Sequence, residues 1–308
     1  MNLETIRAFM VVVEEGSITK ASRELHLSQP ALSSQINYLE KYFKTPLLNR
    51  TTKGVSLTPA GEILYLEGGR LLNILSNIES KINDLASSNQ ETLKVAASNT
   101  IGGYAVPCSI YIFKEKYPKN EIDLDVYNSP EVINQVLDGN VQMGLIEGPI
   151  SSELRKKLTN EGLALKRLGN DYIELVAPYK EPWIDRDHIT VSELAKYNLI
   201  LKEKGSGIRA TIEKNLADQN ISLKDLNVVL EINNISSIIS AVSADKGLSF
   251  LPRMAIKKEI RHKTLKIIKL QDVNFPHTFT MVYKPKDISE GITKQFFDLL
   301  ISDERGFC

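Results

Sequence analysis

The apolar pattern of this 308-residue chain changes period once, near Ser87-Ser88-Asn89. Before that break, apart from one short hairpin, hydrophobic residues recur at the three- and four-residue spacing of helices. Beyond it, short apolar runs alternate with helical patterns, as in stacked α/β layers. The chain must therefore build a small helical unit and a larger α/β unit, each with its own core. With 42% apolar and 25% charged residues, both cores can form. Thirty-eight basic and 38 acidic residues cancel, so overall charge offers no support for a nucleic-acid partner. Any such case has to come from local pattern.

Leu3, Ile6, Met10 and Val13 give a first amphipathic helix ended by Gly16. A short second helix follows, capped by Ser17 or Thr19, with Ile18, Ala21 and Leu25 facing inward. After the tight link His26-Leu27, Ser28 reads as an N-cap and Pro30 as a first-turn residue of a third helix. That helix carries Leu32, Ile36, Leu39 and Phe43 on one face. The pair predicts a helix-turn-helix. Gln29, Ser33, Ser34 and Asn37 lie off the apolar face, either as a solvated surface or as groups able to reach base edges and phosphates. Leu47 to Leu57 then reads as two short strands about a Lys53-Gly54 turn, a wing carrying Arg50 and Lys53. Through Leu57 there are seven basic and five acidic residues, so affinity for DNA is expected to be modest and to depend on dimerisation.

The string from Phe9 through Gly16-Ser17, Ala21, Leu25-His26-Leu27-Ser28-Gln29-Pro30-Ala31-Leu32-Ser33, Gln35-Ile36, Leu39-Glu40, Leu47, Arg50 and Leu57-Thr58-Pro59-Ala60-Gly61 resembles the LysR-type transcriptional regulators. Ser22 stands where that family often has alanine, and Leu48 where it usually has phenylalanine. The resemblance implies that Gln29, Pro30, Ser33 and Ser34 sit at the DNA, with Arg50 and Lys53 on the wing.

Thr58-Pro59 opens a long helix running to about Ser87. Leu64, Leu71, Leu75, Ile78, Ile82 and Leu85 fall on one seam, the last five spaced four, three, four, three. This heptad spacing favours a two-helix coil and a homodimer, with Gly68-Gly69 marking a bend or a close backbone approach.

From Leu93 the chain reads as two α/β lobes with largely parallel sheets. Strands are expected at Leu93–Ala97, Ile122–Val126, Met143–Glu147, Tyr172–Val176, Asn198–Leu201, Val228–Ile232 and Leu248–Leu251. Several strand-to-helix junctions are small and polar: Ser98-Asn99-Thr100, Asn128-Ser129, Gly205-Ser206-Gly207 with Arg209, and Asn233-Asn234. Each alone serves equally as a helix cap. Converging from two lobes, they would suit a small anion, with Arg209 to neutralise or orient it. Glu147 at a strand end either contacts a ligand or faces solvent.

Ala97 to Tyr104, Leu145-Ile146-Glu147-Gly148 and Leu201 to Arg209 resemble the effector domain of the same family, in the branch regulating sulfur assimilation and carbon fixation. Ile208 replaces a common threonine there. The resemblance implies an N-terminal all-α winged helix-turn-helix (1–58) and a linker and dimerisation helix (59–88). A two-lobed α/β effector domain of periplasmic-binding-protein type follows (91–303). Its first lobe would take about 91–160 and 270–302, and its second about 163–268. The expected protein is a cytoplasmic dimer or tetramer that binds double-stranded DNA, senses a small, anionic effector and contacts RNA polymerase. No cofactor, metal or membrane is expected. The four histidines are scattered, Cys108 and Cys308 give no disulfide framework, and Met1-Asn2-Leu3-Glu4 does not begin a signal peptide. A transport-associated solute-binding protein and an α/β enzyme with an added DNA-binding domain are the alternatives. Neither a nucleophile elbow nor a phosphate loop supports the enzyme.

Overall fold

The computed structural model describes residues 2–51, 54–86, 91–271 and 273–307. Its N-terminal helices are set by their caps. Asn2 accepts from the Thr5 N–H at the start of α1 (Leu3–Glu15), and Gly16 ends that helix in the left-handed conformation. Ser17 caps α2 (Ile18–Glu24), and Ser28 caps α3 (Gln29–Phe43), which has proline in its first turn. Phe9, Val12, Ala21, Leu32, Ile36, Leu39 and Leu47 form their shared core. The wing is the antiparallel pair β1 (Leu48–Thr51) and β2 (Gly54–Leu57). It is hung on α1 by the Val55 N–H, which donates to Gly16 O at 2.9 Å. A Cβ on Gly54 would lie 2.6 Å from that same oxygen. Lys53, expected on the wing, lies outside the described residues.

Thr58 caps α4 (Pro59–Ala86), accepting from the Gly61 N–H at 3.0 Å. Gly68 and Gly69 are where α4 lies close on α1: Cβ atoms there would meet Ile6 at 3.0 Å and Met10 at 3.3 Å. The expected seam needs one correction. Leu64 packs into the core of its own unit, while the apolar stripe left in water runs through Ile63, Leu71, Ile74 and Ile78. The side chains of Ile82 and Leu85 lie outside the described residues.

The α/β unit begins with β3 (Thr92–Ser98), a π-helical turn and α5 (Val106–Lys116). It continues through β4 (Glu121–Tyr127), α6 (Ser129–Leu137), β5 (Met143–Glu147), α7 (Ser152–Asn160) and β6 (Ala164–Pro178). Next come β7 (His188–Ile189), α8 (Val191–Leu194), β8 (Leu199–Lys202), α9 (Gly207–Ala217), β9 (Val228–Ile232) and α10 (Ile235–Ser243). The chain ends with β10 (Ser249–Pro252), α11 (Lys257–Arg261), β11 (Leu265–Leu270), β12 (Pro276–Tyr283) and α12 (Gly291–Ile301).

In the first lobe β4, β3 and β5 are parallel, and β12 closes onto β5 antiparallel. The 15-residue β6 serves both lobes: its first part pairs with β12, its second with β10 and β11. All these pairings of β6 are antiparallel, so the sheets are mixed rather than largely parallel. The expected strand Tyr172–Val176 covers only part of the C-terminal half of β6. Each lobe has its own core, built around Val95, Phe113, Leu145, Met281 and Phe296 in the first lobe and Leu201, Ile212, Ile238, Phe250 and Ile268 in the second.

The reading of the cysteines is also corrected, because Cys108 on α5 is disulfide-bonded. The C-terminal segment folds back on α5, where Ser109 donates to Arg305 O. No helix of the described residues is long and apolar enough to cross a membrane.

Candidate functional site

Two surfaces carry the predicted residues. On the first, the α3 face opposite Leu32, Ile36 and Leu39 leaves Gln29, Pro30, Ser34 and Asn37 exposed and Ser33 half-buried. Thr19 Oγ1 donates to Gln29 Oε1 at 3.4 Å, tying the two helices at the start of α3. Arg50 reaches back from the wing. Its guanidinium donates to Asn37 Oδ1 at 2.7 Å and faces Glu40 Oε2 at 3.4 Å. Glu40 Oε1 accepts from both the Leu47 and Leu48 N–H groups, at 2.9 and 3.2 Å. Sequence reasoning had no place for Glu40, a buttress that fixes the wing against α3. Its traces in the sequence are a carboxylate beside the apolar position Leu39 and its place in the string that resembles the family, neither of which points to this role.

The second surface is where the lobes meet. Ser98, Thr100, Ser129 and Glu147 come together at the C-terminal ends of β3 and β5, and Ser206 and Gly207 approach from the start of α9. Ser129 Oγ pins the Glu147 main chain, donating to its carbonyl at 3.2 Å and accepting from its N–H at 3.3 Å. Glu147 does not face solvent. Its carboxylate is buried and accepts the Thr100 N–H at 3.1 Å. The two lobes touch here: a Cβ on Gly207 would fall 2.3 Å from Glu147 O. That contact demands glycine.

His277 and Thr211 are the members that sequence reading missed. His277, buried at the start of β12, has Nε2 3.8 Å from Glu147 Oε2 and Nδ1 2.9 Å from Thr211 Oγ1. Thr211 in turn donates to Gly207 O at 2.9 Å, so a polar path crosses from one lobe to the other. Burial alone would push the Glu147 carboxyl up. His277, then Thr100 and Ser98, outweigh it and hold Glu147 below the ordinary carboxylate range. Asp171, opposite His277 in the β12–β6 ladder, is shifted the other way. Burial raises it despite the Met254 N–H it accepts.

The remaining predicted residues stand apart from this cluster. Arg209 is buried but engaged, with Glu213 at 2.7 Å, Glu231 at 3.3 Å and Lys202 O at 3.3 Å. Asn99 donates to Tyr127 O at 3.3 Å, and Asn234 is an exposed cap accepting the Ser237 N–H.

A helix-turn-helix with a wing, joined in one chain to two α/β lobes that meet at polar strand ends, defines a ligand-responsive DNA-binding regulator. Residues 3–62 match the bacterial regulatory helix-turn-helix proteins of the lysR family, and residues 86–304 match the LysR substrate binding domain. The chain belongs to the LysR family, whose members regulate transcription and are not enzymes.

Among its relatives, a probable RuBisCO transcriptional regulator of Phaeodactylum tricornutum is 31% identical over 91% of this chain and 90% of its own length. One of the same description from Synechocystis is 30% identical over 92% of this chain and 81% of its own. Among solved structures, the LysR family regulator CbnR superposes with a TM-score of 0.72 at 16% identity, covering 97% of this chain and 98% of its own. The regulatory domain of Synechocystis CcmR in complex with 2-PG superposes with a TM-score of 0.59 at 20% identity, covering 69% of this chain and 96% of its own.

Proposed function

We propose that this chain binds operator DNA as a dimer or tetramer and reads a small metabolite where its two lobes meet, adjusting transcription through contact with RNA polymerase in the cytoplasm. Residues 1–58 would dock on DNA, 59–88 would pair with a second copy, and 91–303 would sense the effector. Gln29, Pro30, Ser33, Ser34 and Asn37 would face the major groove, with Arg50 and Lys53 toward phosphates. Ser98, Asn99, Thr100, Ser129, Glu147, Ser206, Gly207, Arg209 and Asn234 are the proposed effector residues. Of these, Arg209 is best read as holding the shape of α9, because its charge is already met by two carboxylates.

The observation that carries the reading is the convergence of the Thr100 N–H, the Ser98 and Thr100 hydroxyls and the first residue of α9 on one buried point. Such a junction of strand ends and helix starts is where open α/β sheets take small polar ligands. A small anion such as the 2-PG carried by CcmR would find these donors in place of the Glu147 carboxylate.

Two measurements test the proposal. Selection from random duplexes should enrich a dyad with half-sites about one turn of DNA apart or more. Ser33→Ala should change the enriched sequence, whereas Arg50→Ala should weaken binding to all sequences. A thermal-shift screen of 2-PG, sulfur oxyanions, sugar phosphates, nucleotides and small carboxylates should yield a hit that Ser206→Ala weakens. An effector at 100 times its Kd should add roughly 2.7 kcal/mol. Enrichment of no sequence would overturn the operator reading, and a hit indifferent to Ser206 would overturn the cleft.

A further inference from the structure

The inter-lobe junction already holds an anion, and that anion belongs to the chain. The Glu147 side chain is 3% exposed, and a carboxylate so deeply buried is costly unless donors surround it. It has one well-formed donor, the Thr100 N–H. The hydroxyls of Ser98 and Thr100 and the Nε2 of His277 are buried beside it and have no other hydrogen-bond partner among the described residues. The Thr100 N–H and the two hydroxyls can together serve both oxygens of a carboxylate, whereas His277 gives its Nδ1–H to Thr211, whose own proton goes to Gly207 O. Above them Gly207 closes on the Glu147 backbone, leaving no room for another side chain. A second carboxylate could not share these donors without like-charge repulsion.

We propose that Glu147 is a tethered occupant of a carboxylate subsite, standing where the acidic group of an effector would otherwise sit. This rests on the reading of the junction as the effector site and adds how that site is regulated. An acidic effector gains these donors only by displacing Glu147. The chain would then exchange one carboxylate for another instead of filling a vacant cleft. The helix start at Thr100 does not by itself make the site. The bound carboxylate and the unpartnered Ser98 and Thr100 hydroxyls do.

Removing the occupant should open the subsite to a free carboxylate. Full-length Glu147→Ala would be titrated with sodium formate and sodium acetate, with sodium chloride at matched ionic strength, and followed by thermal unfolding. The variant should melt below the unsubstituted protein and recover saturably with formate or acetate, at a Kd at least ~10-fold lower than any the unsubstituted protein shows. Glu147→Gln, whose amide still fills the space, should not be rescued. Recovery no greater than with chloride would overturn the proposal, as would equal carboxylate binding by the unsubstituted protein. Should Glu147→Ala fail to accumulate, a cycle of Glu147→Gln, Thr100→Val and the double variant replaces it. Non-additive losses in melting temperature support the cradle, and additive losses overturn it. Rescue probes the cradle alone. A protein that responds to no metabolite would overturn the effector site while leaving the rescue as it stands.

Discussion

Substituting Gly207 by alanine isolates the contact between the lobes. Gly207 is the first residue of α9, just after the Ser206 cap, and its φ lies outside the left-handed region, so an alanine backbone fits there. In a helix, alanine is favoured over glycine by about 0.5–1 kcal/mol. The new methyl group, however, would stand 2.3 Å from Glu147 O, 2.6 Å from its Cγ and 2.9 Å from its carbonyl carbon. Two of those atoms are backbone and cannot rotate away. Ordinary carbon contacts begin near 3.5 Å, so the lobes must separate locally by roughly 1 Å. Overpacking of this kind costs about 1–3 kcal/mol, leaving a net loss of up to about 2.5 kcal/mol once the helix gain is subtracted. At about 2–4 °C per kcal/mol for a domain of this size, a mid-range loss of about 1 kcal/mol lowers the melting temperature by a few degrees. Gly103→Ala is the control, because a Cβ there meets nothing within 4 Å and would draw only the helix gain. Calorimetry of the full-length proteins reads both. If Gly207→Ala melts at or above Gly103→Ala, the two lobes are not in contact at this point and the junction is open.

Two further outcomes follow from the buried carboxylates and the wing. Glu40→Ala should cost about 1–3 kcal/mol in denaturant unfolding, because the buried Leu47 and Leu48 would have N–H groups without their acceptor. Glu40→Gln keeps that acceptor and should stay close to the unsubstituted protein, since the partly exposed pair with Arg50 contributes little; equal losses in the two variants would refute the buttress. For pH, the lowered Glu147 contributes stability that is complete above its ordinary value of 4.5 and lost as pH falls through the lower folded value. The raised Asp171 acts oppositely, its ionisation costing stability as pH rises from its ordinary 3.8 through its higher folded value. Melting series from about pH 3 to 7 should therefore lose part of their acid-side decline in Glu147→Gln and steepen in Asp171→Asn. Curves parallel to that of the unsubstituted protein would refute both assignments.

The DNA-facing unit is legible in the sequence because its determinants are local. Ser28 caps the helix that it begins, Gly16 stops the helix before it, and Leu32, Ile36 and Leu39 lie within two turns of one another. The α4 stripe was nearly legible. Heptad counting aligns Leu64 with Leu71, but it cannot see that α1 and the wing claim Leu64 for their own core. In the lobes the determinants are distant. Residues 164–171 have no clean alternation, so the pattern marks only Tyr172–Val176 in the C-terminal half of β6 and leaves β12 unmarked. With β12 went His277, a lone histidine whose meaning comes from register: it faces Asp171 across one ladder, and its neighbour Phe279 faces Glu147 across the other. The sequence pattern places Gly207 in a polar ligand loop. It is also a point of backbone contact, and that second role depends on a residue 60 positions earlier in the chain.

Charge and apolar surface place the same demand on the N-terminal unit. Its excess of two positive charges through Leu57 is small, and Arg50 spends part of its charge on Glu40 and Asn37. Each phosphate neutralised adds about 0.9 to the salt dependence of DNA binding, so one copy with few available cations binds weakly at physiological ionic strength. Meanwhile α4 leaves Ile63, Leu71, Ile74 and Ile78 in water at 66, 40, 58 and 49% exposure, along a helix whose far face is already packed on α1. Exposed apolar stripes of this kind are stable when another helix covers them. A second copy of the chain would answer both needs at once, because pairing the stripes would double the cations presented to one duplex. It would also set two α3 helices on a common two-fold axis, so the spacing of an operator's half-sites would be fixed by the α4 pairing rather than by any residue of the recognition helix.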